Sequence, residues 1–232
     1  MSIHLIELKN TPIFDQLLLE ESLLRDRTEN FCLINHGSSA AIVLGISGKK
    51  EELVHIEKAA SYHIPLIKRF SGGGTVIVDH NTLFVTFIFS KSTHSFPAYP
   101  EPIMRWSEDF YRPVFAHADF CLKENDYVLG DKKFGGNAQY VKKDRWLHHT
   151  SFLWDYNPKF MDCLLHPKKT PSYRANRAHH QFICKLSDYY PDLQTVITAI
   201  KKHLQTLYPV IISPIGSFPY QNISRRTTSF LS

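Results

Sequence analysis

The sequence predicts an α+β fold in which a largely antiparallel sheet is flanked by helices. Strand-like runs follow one another across short turns through the middle of the chain, as in hairpins, and do not alternate regularly with helices. Amphipathic helical patterns stand near both ends of the chain and between the strands. The 232 residues, 43% of them hydrophobic, suffice for one substantial core, and we expect residues 1–232 to form a single domain.

The first half of the chain predicts helices, buried strands and one hairpin. Thr11 is a suitable helix cap, and Pro12 fits the first helical position. In the helix that follows, Glu21 stands beside an apolar stripe, where we expect it to have a structural role. Runs 75–78 and 83–89, rich in β-branched and aromatic residues, predict the two strands of a hairpin. The other elements indicated are a strand over 40–44, a helix over 51–63 and an extended segment over 65–67.

The second half of the chain predicts a helix, a run of strands and a closing helix. The pattern over 103–116 is helical, and residues 118–154 look like strands separated by turns at 130–131 and 142–145. The polar, proline-marked stretch 157–180 is expected to lie over the surface. One apolar stripe predicts the last helix: Leu193, Val196, Ile197, Ile200, Leu204 and Leu207.

The charge and the cysteines exclude several classes of protein. The net charge of +5, from 27 Lys and Arg against 22 Asp and Glu, is scattered, whereas a dedicated nucleic-acid binder usually has a clustered basic patch. The four cysteines form no CxxC pair, and no stretch approaches the roughly 20 apolar residues of a membrane helix. The amino terminus has no secretory pattern. We therefore expect a cytoplasmic protein with free thiols that binds neither nucleic acid nor membrane.

The first candidate site motif runs from Arg69 to Thr75 and contains three consecutive glycines. Without Cβ atoms, the backbone N–H groups of Gly72, Gly73 and Gly74 can approach a ligand closely and converge on anionic oxygens. Arg69 adds a positive fork for a carboxylate or phosphate. The motif is neither a P-loop nor a dinucleotide fingerprint. A flexible turn with a surface arginine would look the same, so this motif alone assigns no function.

The second motif extends from Asn125 to Gln139 and places a lysine pair beside two glycines within strand-like sequence. Side chains alternate along a strand, so Lys132 and Lys133 point to opposite faces, and one of them can face a buried anion. Asn125 and Asp126 offer acceptors suited to magnesium or a ribose. An exposed turn is the alternative interpretation of the lysine pair.

The third motif is the strand over 146–153, which carries His148 and His149 in its middle. Taken in order, the three motifs resemble the signatures of the lipoate-protein ligase A family, within the biotin/lipoate protein ligase superfamily. The resemblance spans residues 10–190 and is closest to the plant-like and chlamydia-like branch. The order and spacing of all three motifs are far more specific than any one of them.

The resemblance implies a fold, a reaction and partners. The fold is a mixed, mostly antiparallel sheet flanked by helices, shared with biotin-protein ligases and related to class II tRNA-synthetase cores. In the implied reaction, ATP with Mg²⁺ activates lipoate or octanoate as an acyl-adenylate. The acyl group then passes to a lysine of a lipoyl acceptor domain, on the E2 subunit of 2-oxoacid dehydrogenases or on the glycine-cleavage H protein.

The resemblance also assigns roles to residues. Lys133 is the implied catalytic residue, bridging the lipoate carboxyl group and the α-phosphate. Asp126 is also the implied Mg²⁺ ligand, and the predicted hairpin over 75–78 and 83–89 is the implied wall of a slot for the lipoate tail. The implied substrate-binding and ATP-binding residues are Arg69, Ser71, Gly72, Gly73, Gly74, Thr75, Asn125, Asp126, Gly135, Gly136, Asn137, Ala138 and His149.

Departures from the family pattern keep other functions open. Residues 45–48 lack the usual arginine and glutamine, and residues 1–232 are too few for the family's C-terminal accessory domain. Activation of free lipoate would then need a separate accessory subunit or a different closing element, or would not occur. The alternatives are ATP-independent octanoyl or lipoyl transfer, with Cys121 as the candidate nucleophile, and a non-catalytic module that binds a lipoyl group or nucleotide. Biotin-protein ligation is weaker, because its glycine–arginine signature is missing.

Overall fold

Within the residues that the structure describes, two β-sheets form the centre of the molecule and helices pack against them. This computed structural model describes residues 1–116, 119–166, 170–220, 223 and 226–231. The strands are β1 (Ile3–Lys9), β2 (Asn30–His36), β3 (Ala41–Leu44), β4 (Leu66–Lys68), β5 (Val76–Val78), β6 (Thr82–Ser90), β7 (Phe120–Lys123), β8 (Asp126–Leu129), β9 (Lys132–Val141), β10 (Arg145–Leu153), β11 (Val210–Ile212) and β12 (Ser229–Leu231). The helices are α1 (Ile13–Asp26), α2 (Lys50–Leu53), α3 (Ile56–Ser61), α4 (Pro100–Tyr111), α5 (Pro158–Met161), α6 (His179–Phe182) and α7 (Leu193–Leu207). The predicted α+β class is confirmed.

The larger sheet runs in the order β11-β1-β2-β6-β10-β9-β8-β7. β1 pairs in parallel with β2 and β11, and the other pairs are antiparallel, so the predicted mixed and mostly antiparallel sheet is confirmed. β7 to β10 form a meander whose turns fall near 130–131 and 142–145, as the sequence predicts. β6 and β10 lie in the middle and are buried at nearly every position, because apolar clusters cover both faces of the sheet.

The smaller sheet, in the order β12-β4-β3-β5, corrects one prediction. β5 pairs with β3 and not with β6, so the hairpin predicted over 75–78 and 83–89 is wrong. The cause is competition for strand edges, because β2 and β10 occupy both edges of β6. The chain still turns between β5 and β6, and there the Asn81 N–H donates to Asp79 Oδ1 over 2.8 Å. This turn carries the chain from one sheet to the other.

The start of α1 differs from the prediction because its cap comes from another part of the chain. Pro12 occupies the cap position that was expected for Thr11, and it forms no side-chain cap. Instead, the Ile13 N–H donates to Ser38 Oγ over 2.9 Å. The helix predicted over 51–63 is two short helices, α2 and α3, whereas α4 overlaps its predicted span and α7 matches the predicted stripe. No helix in the described residues is long and apolar enough to span a membrane.

The large sheet packs through one apolar cluster on each of its two faces. On one face, α4 and α7 pack against it through a mainly aromatic cluster whose large buried members include Phe87, Phe110, Tyr111, Phe115, Phe134, Trp146 and Phe152. On the other face, α1 and the small sheet cover it through residues that include Leu17, Leu24, Phe31, Phe70 and Phe84. Buried aromatic side chains of this size dominate core energetics. The strands that carry the second and third motifs are therefore firmly held.

Glu21 confirms its predicted structural role by holding the chain near residues 229–231. It is fully buried, and it accepts hydrogen bonds from the N–H and hydroxyl groups of Thr227 and Thr228 and an ion pair from Arg25. Burial raises the pKa of Glu21, but these hydrogen bonds outweigh burial and the net pKa is lowered. A single carboxylate thus joins α1 to the segment before β12.

We expect Glu21→Gln to lower the free energy of unfolding by about 2 kcal/mol at neutral pH, since hydrogen bonds to a charged group are lost. Because the pKa of this carboxyl is lower in the folded state, its contribution is present above the unfolded pKa near 4.5 and is lost as pH falls further. Urea denaturation at several pH values measures both effects. The exposed Glu57→Gln is the control, and equal effects of the two variants would contradict the account.

Candidate functional site

A cavity of about 810 Å³ lies between α1, the small sheet and strands β8 to β10. Its wall contains all but one of the predicted site residues, namely Arg69, Gly72, Gly73, Gly74, Thr75, Asn125, Asp126, Lys133, Gly135, Gly136, Asn137, Ala138 and His149. The exception is Ser71, which is buried outside this wall and whose carbonyl accepts from the Ile46 N–H over 3.0 Å. Three motifs that are far apart in sequence therefore surround one space.

A β-bulge in β9 lies directly after Lys133. The register between β8 and β9 shifts by one residue, which leaves Phe134 unpaired with β8. The extra residue brings Lys133 and Gly136 together, so that a Cβ on Gly136 would lie 3.4 Å from Lys133 Nζ. Lys132 is exposed, and the predicted division of the lysine pair between two faces holds in the structure.

Lys133 forms an ion pair with Asp126 inside the cavity wall. Lys133 Nζ lies 2.7 Å from Asp126 Oδ1, and the two side chains are 25% and 8% exposed. The other carboxylate oxygen, Oδ2, accepts from the Tyr173 hydroxyl over 2.8 Å. An ammonium group has three donors. Lys133 can therefore keep this contact and still donate to an anionic ligand.

Asp126 is a poor fit for a protein-held Mg²⁺ ion. Both of its oxygens are already engaged by the lysine and tyrosine contacts. In the described part of the chain, no group of three or more His, Cys, Asp or Glu residues could hold a metal ion. Mg²⁺ commonly binds through one or two carboxylates together with substrate phosphates. The wall therefore suits a Mg²⁺ ion that arrives with a phosphate ligand better than one held by the protein alone.

Arg69 supports the glycine loop, residues 69–75, from within. The residue is 4% exposed, and Nη2 donates to the carbonyls of Gly72 and Gly74 over 3.0 and 2.7 Å, while Nη1 donates to the Val43 carbonyl over 3.3 Å. Burial lowers the pKa of Arg69 to about 10, against the opposing effect of Glu20, so the group is cationic at neutral pH. Backbone carbonyls therefore accept hydrogen bonds from the guanidinium group that was predicted to bind a substrate.

The glycine loop needs its glycines at specific points. Gly73 has a φ of +111°, and a Cβ there would lie 2.7 Å from Arg69 Nη2 and 2.9 Å from the Asn137 carbonyl oxygen. Gly74, by contrast, has nothing within 4 Å of its Cβ position. Next to it, Thr75 Oγ1 is buried without a hydrogen-bond partner among the described residues. The loop thus offers both space and an unused hydroxyl to a ligand.

Asn137 connects three strands at the edge of the cavity. Its Nδ2 donates to the Asn125 carbonyl over 3.0 Å, and its Oδ1 accepts from Thr150 Oγ1 over 2.7 Å. The amide therefore holds the start of β8 against β9 and β10. This tie positions Asn125 and Asp126 in the wall.

His149 is oriented by a buried carboxylate that the sequence analysis left without a role. Its Nδ1 lies 2.9 Å from Glu20 Oε1 and 3.0 Å from Thr86 Oγ1. Glu20 also accepts from Gln16 Nε2 over 2.7 Å, and it is fully buried. These contacts fix the ring and leave Nε2 as the nitrogen available to a ligand. The adjacent glutamates of α1 were the signal that could have indicated this network.

His148 points to the other face of β10 and is fully buried. Its Nε2 lies 3.2 Å from the Tyr127 hydroxyl, and its Nδ1 lies 3.1 Å from Gln139 Nε2. Burial, together with the neighbouring His149, lowers the pKa of His148 to about 3. The folded protein therefore holds this ring neutral.

We expect His148 to make the protein acid-sensitive. The pKa of this side chain is about 6.5 in the unfolded chain and lower in the folded protein. Below pH 6.5 the unfolded chain therefore binds a proton that the folded protein does not bind. The free energy of unfolding is thus highest above that pH and decreases as the pH falls toward 3. The expected slope is up to about 1.4 kcal/mol per pH unit. His148→Gln should flatten the pH dependence of urea unfolding between pH 6 and pH 4. The same slope in the variant and the wild-type protein would refute this explanation.

The prediction that 157–180 lies over the surface is wrong for part of this stretch. Residues of the stretch form a further wall of the cavity: Met161, Leu164, Leu165, Thr170, Pro171, Arg174 and His179. The apolar pair Leu164-Leu165, within otherwise polar sequence, was the available signal. Another part of the wall is apolar and includes Ile13, Leu17, Val76, Val78 and Phe84. The predicted strands thus line the cavity, although they form no hairpin.

The candidate cysteine nucleophile lies outside the cavity wall. Cys121 is on β7, at the edge of the large sheet, and is partly exposed. None of the other three cysteines, Cys32, Cys163 and Cys184, lines the cavity either. All four are free thiols.

Comparisons of the sequence with known proteins agree with this geometry. The family model described as the lipoyl protein ligase A/B catalytic domain matches residues 12–205. The protein named "Inactive lipoate--protein ligase 2" of Plasmodium falciparum is similar, with 29% identity covering 90% of this chain and 70% of its own. Lipoate-protein ligase LplJ of Bacillus subtilis is 26% identical over 53% of this chain and 42% of its own. The chain thus matches less than half the length of the B. subtilis relative.

Solved structures share the fold. A crystal structure of a lipoate-protein ligase A bound with ATP superposes with a TM-score of 0.77 at 18% identity, covering 93% of this chain and 90% of that one. A bi-partite lipoate protein ligase and its E2 lipoyl domain from Thermoplasma acidophilum gives a TM-score of 0.77 at 19% identity, covering 93% and 88%. The predicted branch within the family stays a prediction. Because the family model matches most of its length, the chain belongs to the lipoyl protein ligase A/B catalytic-domain family.

Proposed function

We propose that this chain is a lipoate-protein ligase that activates lipoate or octanoate with ATP and transfers the acyl group to a lysine of an acceptor domain. The observation that carries the proposal is the position of Lys133. Its ammonium group stands in the cavity wall beside Asp126 and shares the cavity with the glycine loop. A fixed cation in such a place can stabilise charge that develops on a phosphate.

In the first step, a carboxylate oxygen of the fatty acid attacks the α-phosphorus of ATP. A carbon–oxygen–phosphorus anhydride forms, and the bond to pyrophosphate breaks. The Lys133 ammonium donates to the carboxylate and the α-phosphate and so offsets the negative charge that accumulates between them. Arg69 maintains the loop that faces this reaction, and the unused Thr75 hydroxyl is a further donor.

The apolar part of the wall supports a substrate with an aliphatic acyl chain. Side chains from α1, β5 and β6 line that part, including Leu17, Val76 and Phe84. Ligand pockets typically combine such a wall with a few polar groups that fix orientation. Here Lys133 provides the polar end, and His149 with Glu20 provides a second polar group. Lipoate and octanoate both fit this description.

In the second step, the amine of an acceptor lysine attacks the acyl carbon, loses a proton and displaces AMP. We propose E2 lipoyl domains and the glycine-cleavage H protein as acceptors. The T. acidophilum ligase of the same fold is described together with its E2 lipoyl domain, and that ligase is bi-partite. We therefore also propose that residues 1–232 form a single domain and that this domain acts with a separate accessory subunit.

A second candidate function is a non-catalytic module that binds a lipoyl group or nucleotide. The P. falciparum relative, which matches 90% of this chain, carries the word "inactive" in its name. ATP-independent transfer through a cysteine is less supported, because no cysteine lines the cavity. The presence of Lys133 and its carboxylate partner in the wall favours the ligase over both.

Mass spectrometry of an E2 lipoyl domain tests the proposal. The domain is incubated with the chain, lipoate and MgATP, with and without an accessory subunit. We expect a mass gain of one lipoyl group, on one lysine, that requires ATP. Lipoate binding without modification in either arm would support the non-catalytic module. Transfer from an octanoyl carrier protein without ATP would support the transferase.

A further inference from the structure

A segment that is hydrogen-bonded to β9 lies along one side of the cavity. Residues 170–184, which we call the strap, end beside β9, where the Cys184 N–H donates to the Lys133 carbonyl over 2.8 Å. Closer to its middle, Arg177 Nη1 lies 2.7 Å from Asp131 Oδ2. The strap is thereby fixed next to the strand that carries the catalytic lysine.

Arg174 is the charged residue that the strap contributes to the cavity wall. It is 4% exposed, and its Cζ lies 4.9 Å from the centre of the Phe182 ring. Nε donates to the Arg177 carbonyl over 3.0 Å. Nη2 is buried and has no hydrogen-bond partner among the described residues. The stacked ring and the Nε contact hold the guanidinium plane in one orientation.

A buried guanidinium with an unused donor is costly. An unsatisfied buried donor costs about 1–3 kcal/mol, and more when it is charged. Fully buried arginines are therefore almost always paired. Asp126 acts on Arg174 electrostatically but is already ion-paired with Lys133. Arg174 therefore brings an unused donor to the cavity wall.

We propose that Arg174 binds phosphoryl oxygens of the nucleotide, at a point of the cavity distinct from the Lys133 contact. This inference rests on the proposed function for the identity of the anion. A planar guanidinium matches two phosphate oxygens at once, which an ammonium cannot do. Lys133 is one point charge, whereas a triphosphate carries more negative charge than one ammonium and a bound Mg²⁺ ion together neutralise. Arg174 supplies a further cation.

Calorimetric titration of the whole chain tests the role of Arg174, with ATP, adenosine and inorganic pyrophosphate as the ligands. Arg174→Gln is expected to weaken binding of ATP and pyrophosphate by about tenfold to a hundredfold. Adenosine, which lacks phosphate, should bind within about threefold of its wild-type affinity. Arg174→Lys should fall between the wild type and the glutamine variant. Arg105→Gln, an exposed arginine on α4, is the control and should bind all three ligands normally.

Two results would overturn the inference. One is ATP and pyrophosphate binding by Arg174→Gln at wild-type affinity, and the other is an equal loss for adenosine, which indicates a structural role only. If Arg174→Gln lacks a cooperative thermal transition, Arg174→Lys decides the matter, and wild-type affinity in that variant overturns the inference. A wild-type chain that binds pyrophosphate through Arg174 but never modifies an acceptor sinks the proposed function alone. An active ligase that is indifferent to Arg174→Gln sinks this inference alone.

Discussion

Replacing Lys133 by alanine is expected to slow formation of the acyl-adenylate by about a thousandfold. The substitution removes the cation that stabilises charge between the carboxylate and the α-phosphate. It also leaves Asp126, otherwise ion-paired over 2.7 Å, as an unpaired carboxylate that repels the nucleotide. Rapid-quench measurement of acyl-AMP, formed from ATP and lipoate, gives the rate.

Lys132→Ala is the matched control for this experiment. Lys132 precedes Lys133 on the same strand, yet it is exposed and lies on the opposite face. Its replacement should leave the rate within about twofold of the wild type, as for most surface substitutions. Comparable losses in the two variants would mean that the orientation of Lys133 toward the cavity is irrelevant to the reaction.

Gly73→Ala is expected to lower the free energy of unfolding by about 2–3 kcal/mol and to displace the glycine loop. The residue has a φ of +111°, which an alanine adopts only with strain. Its Cβ would also lie 2.7 Å from Arg69 Nη2 and 2.9 Å from a backbone carbonyl of β9. Since β9 is held in the sheet, the loop must move and Arg69 must lose carbonyl contacts. Urea denaturation and hydrogen exchange of residues 69–75 measure the two effects.

Gly74→Ala provides the comparison within the same loop. Its Cβ would have nothing within 4 Å, so the free energy of unfolding should change by less than about 0.5 kcal/mol. Stability losses of the same size in both variants would show that general loop stiffness, and not the conformation of Gly73, determines the outcome.

The fold was predictable where local sequence pattern determines the structure. The meander of β7 to β10 follows from strand-like runs separated by short turns, and α7 follows from one apolar stripe. The pairing of β5 was not predictable in this way. A turn at 79–81 looks the same whether it closes a hairpin or joins two sheets. The choice depends on which strands already occupy the edges of β6, and those strands are distant in sequence.

In the site, too, features set by local sequence were predictable, and features set by contacts between distant segments were not. The motifs predicted which residues surround the cavity, and strand alternation predicted that one lysine of the pair faces inward. The direction of the Arg69 donors was not predictable, because they bind carbonyls of a loop whose path sequence alone leaves open. Glu20 and Arg174 were missed for a related reason. Glu20 reaches His149, and Arg174 reaches the cavity wall, only because α1 and the strap pack across the sheet.

Lipoate-dependent exchange of pyrophosphate into ATP tests the central claim most directly, because it reports acyl-adenylate formation without any acceptor. The account predicts that the wild-type chain, alone or with an accessory subunit, catalyses exchange only when lipoate or octanoate is present. It also predicts that Lys133→Ala abolishes this exchange, whereas Lys132→Ala retains it. Absence of exchange under both conditions, in a chain that still binds lipoate, would contradict the claim that this cavity activates carboxylates with ATP.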